Sequence, residues 1–392
     1  MGVKMKKNVK ILSRPDHSTY LYEGLRKEKE LDVEIFTFDV IKEGTIFSKL
    51  FPNKRHVDKD VKVSYSVTFV RRFLILLRYF VRFNWLKIEV YFSNFFFNLC
   101  LRNNLDGSVI HYWPVYASKA VFRYKSNKNI ITVAEIYEAN PNFVNPIFME
   151  ENDKRNKKFK PYNLMVDQNS FFEFEKNVIV PSSYVMATYK DSFPNVNFYV
   201  VPLGLDINIP NLHIVKDNII VKFAFVGRAS VEKGIYTLFD AAKLMFHRVG
   251  RCFEVHAFGP INELNLKDEL SENINFLGNH DKKTLYDKLK DYDVVVLPSF
   301  SDAYSLAIVE AQLLGLPVIV SDSVGICDVI CNHKSGLIFK TGDHKDLADK
   351  MIQLLDFDNR SELHVNAIRN RDFHTIESYS KRILKVYKKL NE

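Results

Sequence analysis

Residues 294–315 read VVVLPSFSDAYSLAIVEAQLLG, and this stretch decides the fold. The four apolar residues at its start predict a buried strand, the small and polar residues after them predict a turn, and the run from Leu306 predicts a helix. Similar runs alternate through the second half of the chain, with strands predicted at 219–227, 253–259, 274–278 and 317–322 and helices at 235–249 and 284–292. Such alternation is typical of a parallel sheet covered by helices on both faces, in which ligands bind beyond the carboxyl ends of the strands.

The first half of the chain carries comparable apolar runs, at 9–12, 33–38, 108–113, 129–136, 177–182 and 197–204. We therefore predict an α/β protein in which two doubly wound Rossmann-like domains face each other across a cleft. The predicted first domain covers residues 1–205 and the second covers residues 206–375, while the last helix, 376–390, is expected to pack back on the first domain. The charged stretch 150–163 has no apolar periodicity and predicts a surface loop.

Length, charge and hydropathy narrow the function classes. A chain of 392 residues suits two domains better than one core. The net charge of +8 indicates an anionic partner, namely a phosphorylated ligand, nucleic acid or a membrane surface, or else only a lysine-rich composition. No uncharged apolar run reaches the roughly 18 residues of a membrane span, and the apolar stretch near the N-terminus is too short for a signal peptide. We expect a cytoplasmic protein without a transmembrane helix.

The cysteines do not form a metal-binding pattern. Cys327 and Cys331 are separated by three residues, with no second close pair and no His-x-His nearby, so no zinc site is expected. Unpaired thiols in a chain of this size fit a reducing compartment. Because the sequence contains no zinc module and no aromatic RNA-binding motif, nucleic acid is not an expected partner.

Short motifs follow one another through the second half: Gly227-Arg228, Glu232-Lys233-Gly234, Phe258-Gly259-Pro260, Phe276-Leu277-Gly278, Pro298-Ser299, Asp302 with Glu310-Ala311, Gly315-Leu316-Pro317-Val318, Ser321-Asp322, Gly325-Ile326-Cys327-Asp328 and Ser335-Gly336-Leu337. In order and spacing they resemble the donor-binding domain of the family-4 retaining glycosyltransferases, also called glycosyl transferases group 1, which have the GT-B fold. The first half adds only Pro181-Ser182 and the run 201–206, which are similar to the family's approach to the cleft.

The resemblance implies a site for the diphosphate of a nucleotide sugar. Arg228 and Lys233 would stabilise the charge that develops on the leaving diphosphate, because fixed cations act most strongly where charge forms. Their alternative role is that of solvated loop cations. The turn after Gly227 and the helix start at Tyr304, Ser305 and Leu306 would add backbone N–H groups that bind phosphate.

Two carboxylates complete the implied donor site. Glu310, more than one turn into the helix, would accept hydrogen bonds from the ribose hydroxyls, and its alternative is a surface carboxylate. Asp302 would contact the hydroxyls of the donor sugar near the reacting carbon, and its alternative is a helix N-cap. The family has Glu at both positions, so the shorter Asp302 and the glycine-poor loop 303–305 leave the sugar open.

The resemblance implies no cofactor and no metal, because two cations and a helix terminus supply the positive charge. Asp291-Tyr292-Asp293 matches a D-x-D pattern, but it lies at a junction between a predicted helix and strand that the family also makes acidic. We do not interpret it as a metal site.

The first domain is expected to hold a glycan or lipid-linked acceptor. Asp16 and His17, in the loop after the first strand, are candidates to contact it, with an ordinary polar loop as the alternative. His111 and Glu135 each end a predicted strand, and the sequence leaves open which of them lies nearest the reacting carbon. In the retaining mechanism usually proposed for this fold, a phosphate oxygen of the donor takes the acceptor proton, so a protein base is not obligatory.

Segment 69–97 is rich in Phe, Leu and Arg. At 100° per residue, Arg71, Arg78 and Arg82 form one stripe of a helix, and Phe73, Leu76, Leu77, Phe80 and Phe83 lie opposite. Such a helix either lies on an anionic membrane surface or packs its apolar side on the sheet.

The leading hypothesis is a metal-independent retaining glycosyltransferase of the hexosyltransferase type, acting in envelope polysaccharide or glycolipid synthesis, in the cytoplasm and peripherally at the inner face of the membrane. The alternative is a catalytically silent GT-B subunit that binds an acceptor or a partner enzyme. A sugar-nucleotide epimerase is a third possibility, but the sequence offers no matching catalytic residues.

Overall fold

The computed structural model describes residues 7–12, 21–22, 24–25, 31–36, 41–42, 56–57, 85–102, 105, 107–125, 130–162, 167–205, 213–261 and 274–390. The predicted acceptor loop with Asp16 and His17 lies outside these residues, as does the arginine-bearing part of segment 69–97.

Six parallel strands form the sheet of the first domain. They are β1 (Lys7–Leu12), β2 (Leu31–Phe36), β5 (Val109–Tyr112), β6 (Ile131–Glu135), β7 (Asn177–Val180) and β8 (Asn197–Val200), in the order β2-β1-β5-β6-β7-β8. Two short strands, β3 (Ile41–Lys42) and β4 (His56–Val57), pair separately. The chain reverses its direction across the sheet between β1 and β5, which is the switch point of this domain.

Six parallel strands also form the sheet of the second domain. They are β9 (Val221–Val226), β10 (Phe253–Phe258), β11 (Asn275–Gly278), β12 (Val294–Leu297), β13 (Val318–Ser321) and β14 (Gly336–Phe339), in the order β11-β10-β9-β12-β13-β14. The prediction of two doubly wound domains is thus confirmed. The switch point lies between β9 and β12, so a ligand is expected where the loops after these two strands meet.

The helices connect the strands and cover the sheets. In the first domain they are α1 (Trp85–Cys100), α2 (Pro114–Lys125), α3 (Pro141–Lys154), α4 (Gln168–Phe174) and α5 (Ser183–Lys190). In the second they are α6 (Ile235–Val249), α7 (Lys282–Leu289), α8 (Leu306–Leu314), α9 (Cys327–His333), α10 (His344–Gln353) and α11 (Phe357–Arg369). A 3₁₀ turn (Arg371–His374) leads to the last helix, α12 (Ile376–Lys389).

Helix α12 follows the second domain in sequence but packs on the first. Tyr379 and Tyr387 make hydrogen bonds with side chains of β6 and β5, respectively. A Cβ atom on Gly24 would lie 1.9 Å from Oγ of Ser380, so glycine allows the first domain to approach this helix closely. Where the chain crosses back, Leu205 N–H donates to the carbonyl of His374 at 2.9 Å.

The prediction of a surface loop at 150–163 is wrong for the first part of that stretch. Helix α3 continues to Lys154, and the chain then folds back so that Tyr162 donates its hydroxyl to the carbonyl of Ala139 at 2.7 Å. The charged residues serve a contact with the second domain, because Arg155 lies 2.9 Å from Asp240. A stretch without an apolar stripe is therefore ordered here by polar contacts.

Candidate active site

One cavity lies at the switch point of the second domain and faces the first domain. Its volume is 310 Å³, and Tyr137 and Leu203 of the first domain line it. The second domain contributes the ends of β9 and β12, the loops after them and the start of α8, through Val226, Gly227, Lys233, Leu297, Asp302, Ala303, Tyr304, Ser305, Leu306 and Ala307. The structure thus brings six of the predicted donor-site residues into one cavity.

Lys233 reaches this cavity because the chain turns sharply after it. Gly234 has φ 74°, and a Cβ atom there would lie 1.8 Å from the carbonyl oxygen of Pro298. Only glycine allows the loop after β9 to lie this close to the loop after β12. The Lys233 ammonium lies 2.6 Å from Oδ2 of Asp302 and stays partly exposed.

Asp302 uses its two carboxylate oxygens differently. Oδ1 accepts the backbone N–H of Tyr304 at 3.2 Å, which stabilises the turn before α8. Oδ2 faces Lys233 in the cavity. Asp302 is not the N-cap of α8, which is Ser305, but it stabilises the turn before the helix while its second oxygen stays in the cavity.

Helix α8 begins at the cavity with a strained residue. Ser305 has φ 64°, a backbone conformation that is uncommon outside glycine, and its side chain makes no capping hydrogen bond. Its carbonyl accepts from Ile308 and Val309. The first N–H groups of a helix have no acceptor within the helix, so the start of α8 offers partial positive charge to an anion in the cavity.

Glu310 lies within α8 and is nearly buried, outside the residues that line the cavity. Its Oε1 lies 2.9 Å from the ammonium of Lys282, which is exposed at the start of α7. Tyr286 also lies near Glu310. Burial is the main cause that raises the pKa of the Tyr286 hydroxyl, and the charge and hydrogen bonding of Glu310 add to this effect. Sequence analysis missed Lys282 and Tyr286, although their spacing of four residues places both on one face of α7.

Two predicted donor residues differ from the rest. Arg228 is exposed and does not line the cavity. Tyr304 lines it, but its side chain is buried and its hydroxyl has no hydrogen-bond partner among the described residues. Burial raises the pKa of this hydroxyl, against the charge of Arg382. The backbone N–H of Tyr304 already donates to Asp302 Oδ1, so Tyr304 contributes mainly by shaping the cavity.

His111 and Glu135 are brought together, but in the interior. His111 Nε2 lies 2.9 Å from Glu135 Oε2, an ion-pair distance without the alignment of a hydrogen bond. His111 Nδ1 lies 2.7 Å from the Tyr387 hydroxyl, and Tyr379 donates its hydroxyl to Glu135 Oε1 at 2.7 Å. Both side chains are almost completely buried, so helix α12 separates them from solvent.

A second cavity, of 140 Å³, lies at the carboxyl ends of β5 and β6. Aromatic side chains dominate its lining, and Tyr137 lines both cavities. The lining residues are Trp113, Pro114, Val115, Tyr116, Glu135, Ile136, Tyr137, Glu138, Gln168, Phe171 and Phe172. This cavity therefore adjoins the first one on the side of the first domain.

Polar contacts join the domains at the rim of the cleft. Ser182 donates its hydroxyl to the carbonyl of Ala303 at 2.8 Å, and Tyr184 donates to Oγ of Ser301 at 2.7 Å. A Cβ atom on Gly325 would lie 1.9 Å from the same Ala303 oxygen. The start of α5 thus contacts the loop that carries Asp302.

The described residues contain no cluster of three or more His, Cys, Asp or Glu side chains that could hold a metal ion. In the D-x-D sequence, Asp293 is buried and accepts hydrogen bonds from Lys222 N–H at 2.8 Å and Asn218 at 3.0 Å. Its role is structural. No helix in the described part of the chain is both long and apolar enough to cross a membrane.

Comparison with known proteins places this geometry in context. Residues 211–371 match the family model described as glycosyl transferases group 1. The N,N'-diacetylbacillosaminyl-diphospho-undecaprenol alpha-1,3-N-acetylgalactosaminyltransferase of Campylobacter jejuni is 27% identical over 219 residues, which cover 54% of this chain and 55% of that protein. The capsular polysaccharide biosynthesis glycosyltransferase CapM of Staphylococcus aureus is 28% identical over 38% of this chain and 40% of its own. The matched region thus spans only about half the length of these curated relatives.

Solved structures match over almost the whole chain. HepE of Anabaena, crystallised with UDP, superposes with a TM-score of 0.57 at 15% identity, covering 98% of this chain and 100% of its own. At this level of identity the likeness shows the fold, with both domains present.

Proposed function

We propose that the protein transfers a sugar from a nucleoside diphosphate sugar to a glycan or lipid-linked acceptor, because residues 211–371 match the family model of the group 1 glycosyltransferases. The observation that carries the proposal is the cavity at the switch point. It combines Lys233, Asp302 and the start of α8, with Glu310 one turn deeper.

The charges suit a diphosphate that leaves with additional negative charge. The Lys233 ammonium has three N–H donors, so it can contact a phosphate oxygen while it keeps Asp302. The amino end of α8 adds N–H groups and the positive end of the helix dipole. Arg228, exposed beside Gly227, would complete the site through a side-chain rotation. Glu310 would hold the ribose, with Lys282 moving aside on its flexible stem.

The proposed reaction retains the anomeric configuration. The bond between the anomeric carbon and the phosphate oxygen breaks, and the acceptor oxygen bonds to the same face of that carbon. The acceptor proton passes to an oxygen of the departing diphosphate. His111 is completely buried, and the Glu135 carboxylate, which borders the aromatic cavity, is almost completely buried and already accepts a hydrogen bond from Tyr379. Both observations support a route in which the diphosphate takes the proton.

The acceptor would enter from the first domain. The aromatic cavity next to Tyr137 suits the apolar faces of a sugar or a small substituent on it. The proposal has three finer parts. The donor carries a hexose-type sugar, the acceptor belongs to envelope polysaccharide or glycolipid synthesis, and the reaction uses no metal or cofactor. We further propose a cytoplasmic location, which the four free cysteines support.

A panel of nucleotide sugars tests the proposal. The purified chain is incubated with each donor and with membrane extracts, and mass spectrometry detects both donor hydrolysis and products whose mass has increased by one sugar. We expect one nucleotide family to be used and Glu310→Ala to abolish transfer while leaving the melting temperature close to wild type.

Full activity of Glu310→Ala would contradict the proposed donor site. If the wild-type chain neither hydrolyses nor transfers any donor and binds no uridine or guanosine diphosphate, the chain is a silent GT-B subunit and the proposed function is wrong.

A further inference from the structure

Helix α1 of the first domain exposes a line of large apolar side chains. Tyr91, Phe95 and Leu99 are spaced four residues apart, so they lie along one face of the helix, and all three are exposed. The opposite side of α1 buries Phe96 and Phe97 in the core. The helix therefore has apolar side chains both toward the sheet and toward solvent.

Helix α2 packs beside α1 and runs in the same direction. Asn94 Oδ1 accepts the backbone N–H of Ala120 at 3.1 Å, and the Asn98 carbonyl accepts the hydroxyl of Tyr124 at 3.1 Å. A step of four residues along α1 therefore corresponds to a step of four residues along α2, which shows that the two helices are parallel.

This arrangement places two cations on the same side as the apolar line. Successive residues of a helix are rotated by about 100°. When two parallel helices pack side by side, the residue that follows a contact residue on one helix therefore points to the same side as the residue that precedes its contact partner on the other helix. Phe95 follows Asn94 on α1, and Lys119 precedes Ala120 on α2. Arg123 lies one turn after Lys119, and both cations are exposed.

We propose that the surface formed by Tyr91, Phe95, Leu99, Lys119 and Arg123, here named the α1–α2 face, docks on an anionic lipid bilayer. The apolar line enters the boundary between headgroups and acyl chains, and the two cations contact lipid phosphates. This inference is independent of the donor site and of the proposed function.

Charge complementarity favours a bilayer as the occupant. Helix α2, PVYASKAVFRYK, contains three cations, Lys119, Arg123 and Lys125, and no Asp or Glu. The whole chain carries a net charge of +8. Tyr and Phe are side chains that suit the membrane interface, so apolar insertion and phosphate attraction act on the same surface.

The location of the face relative to the cleft is consistent with a membrane-bound acceptor. Helix α2 begins at Pro114, which lines the aromatic cavity of the first domain. Because α1 is parallel to α2, the face begins near that cavity and runs away from it along the side of the domain. A docked chain would therefore hold the acceptor side of its cleft near the lipid surface.

Flotation of the full chain with lipid vesicles, without nucleotide, tests the proposal. We expect binding to phosphatidylcholine vesicles that contain phosphatidylglycerol, and weak binding to phosphatidylcholine alone. The triple variant Tyr91→Ser/Phe95→Ser/Leu99→Ser and the double variant Lys119→Glu/Arg123→Glu should each lose at least about tenfold in partitioning, given the usual contribution of each cation and apolar anchor.

Matched controls are available elsewhere on the chain. Ile214, Ile219 and Val365 are exposed by 71%, 93% and 50%, compared with 69%, 55% and 42% for Tyr91, Phe95 and Leu99. Their triple serine variant should bind vesicles as the wild type does. Lys381→Glu/Lys385→Glu repeats the charge change and the four-residue spacing on the exposed side of α12, and it should reduce binding much less.

Three results would overturn the proposal. One is equal binding of the wild type to neutral and anionic vesicles, or binding to neither. Another is a loss of binding that is as large in the controls as in the α1–α2 variants. The third is a dimer in sedimentation experiments that the α1 triple variant dissociates, which would identify a second copy of the chain as the occupant. Thermal melting of each variant confirms that it is folded.

Discussion

The two sides of the cleft use buried polar groups in different ways. On the donor side, Lys233 and Asp302 form an ion pair that lines a cavity and stays partly exposed. On the acceptor side, His111 and Glu135 also come from the carboxyl ends of strands, but both are almost completely buried against two tyrosines of α12, and only Glu135 borders a cavity. The first pair is available to a ligand, whereas the second holds the returning helix on its domain.

The difference shows why position at a strand end does not by itself make a residue catalytic. Parallel strands direct side chains of either domain toward the cleft. In the first domain, however, a helix that arrives from the end of the chain occupies that place. A partly exposed charged group in a cavity can interact with a substrate, whereas a buried pair that is hydrogen-bonded to another helix holds that helix in place.

The largest expected effect is on the donor side. Lys233→Met removes the cation that faces the diphosphate, so transfer should fall by about 10²–10³-fold, as for the loss of one stabilising donor in an enzyme site. Stability should change little because the side chain is partly exposed. Lys243→Met, on the exposed side of α6, removes a cation outside the site and should keep wild-type activity. An active Lys233→Met would remove the contrast between the two sides.

Glu135→Gln tests the acceptor side. The buried carboxylate loses its charge beside His111 and Tyr379, which should lower the free energy of unfolding by about 2 kcal/mol, the scale of a charged hydrogen bond. Denaturant unfolding measures this free energy, with the exposed Glu173→Gln as control. Transfer below the melting range should stay within a few-fold of wild type. A variant of normal stability without activity would instead identify Glu135 as a catalytic base.

The pH dependence of stability sharpens the role of the crossing between domains. Burial lowers the pKa of His374 to about 3, so the folded protein keeps it neutral. The unfolded chain, with an ordinary pKa near 6.5, binds a proton between these values, and stability is lost as the pH falls from about 6.5 toward 3. Between pH 7 and pH 5 the wild type should therefore lose about 1–2 kcal/mol more than His374→Leu. Urea unfolding at pH 7 and pH 5 measures these losses, and equal losses in the wild type and in His374→Leu would refute this.

Tyr387→Phe should produce the smallest effect. It removes one hydroxyl that lies 2.7 Å from His111 and leaves the ring in place, so the expected loss of stability is about 1 kcal/mol. Tyr199→Phe, on a partly exposed tyrosine of β8, provides a control with the same chemical change. If the two substitutions have equal effects, the buried network does not hold α12.

The donor half was largely predictable because its signals are local. Buried strands, a turn and a helix follow one another in the order required by the fold, and the loops that carry Lys233 and Asp302 follow the two strands at the switch point. Their proximity follows from topology. The same reasoning cannot show that Lys282 contacts Glu310, since this contact depends on how α7 packs beside α8.

The acceptor half was less predictable because its important contacts are distant in sequence. His111 and Tyr387 are separated by 276 positions, and Glu135 and Tyr379 by 244. No periodicity near His111 indicates that a helix at the other end of the chain covers it. The contact of Arg155 with Asp240 was missed for the same reason, since a charged stretch without an apolar stripe predicted only a loop.

Isothermal titration of a nucleoside diphosphate tests the central claim most directly, because it measures donor-site binding without an acceptor. Uridine and guanosine diphosphates would be titrated in turn into the wild type and Lys233→Met. We predict saturable binding of one of them to the wild type. In the variant its affinity should fall by about tenfold or more, the typical loss of a charged contact to phosphate. Equal affinities in the two proteins, or heat of binding in neither, would contradict the assignment of this cavity to the donor.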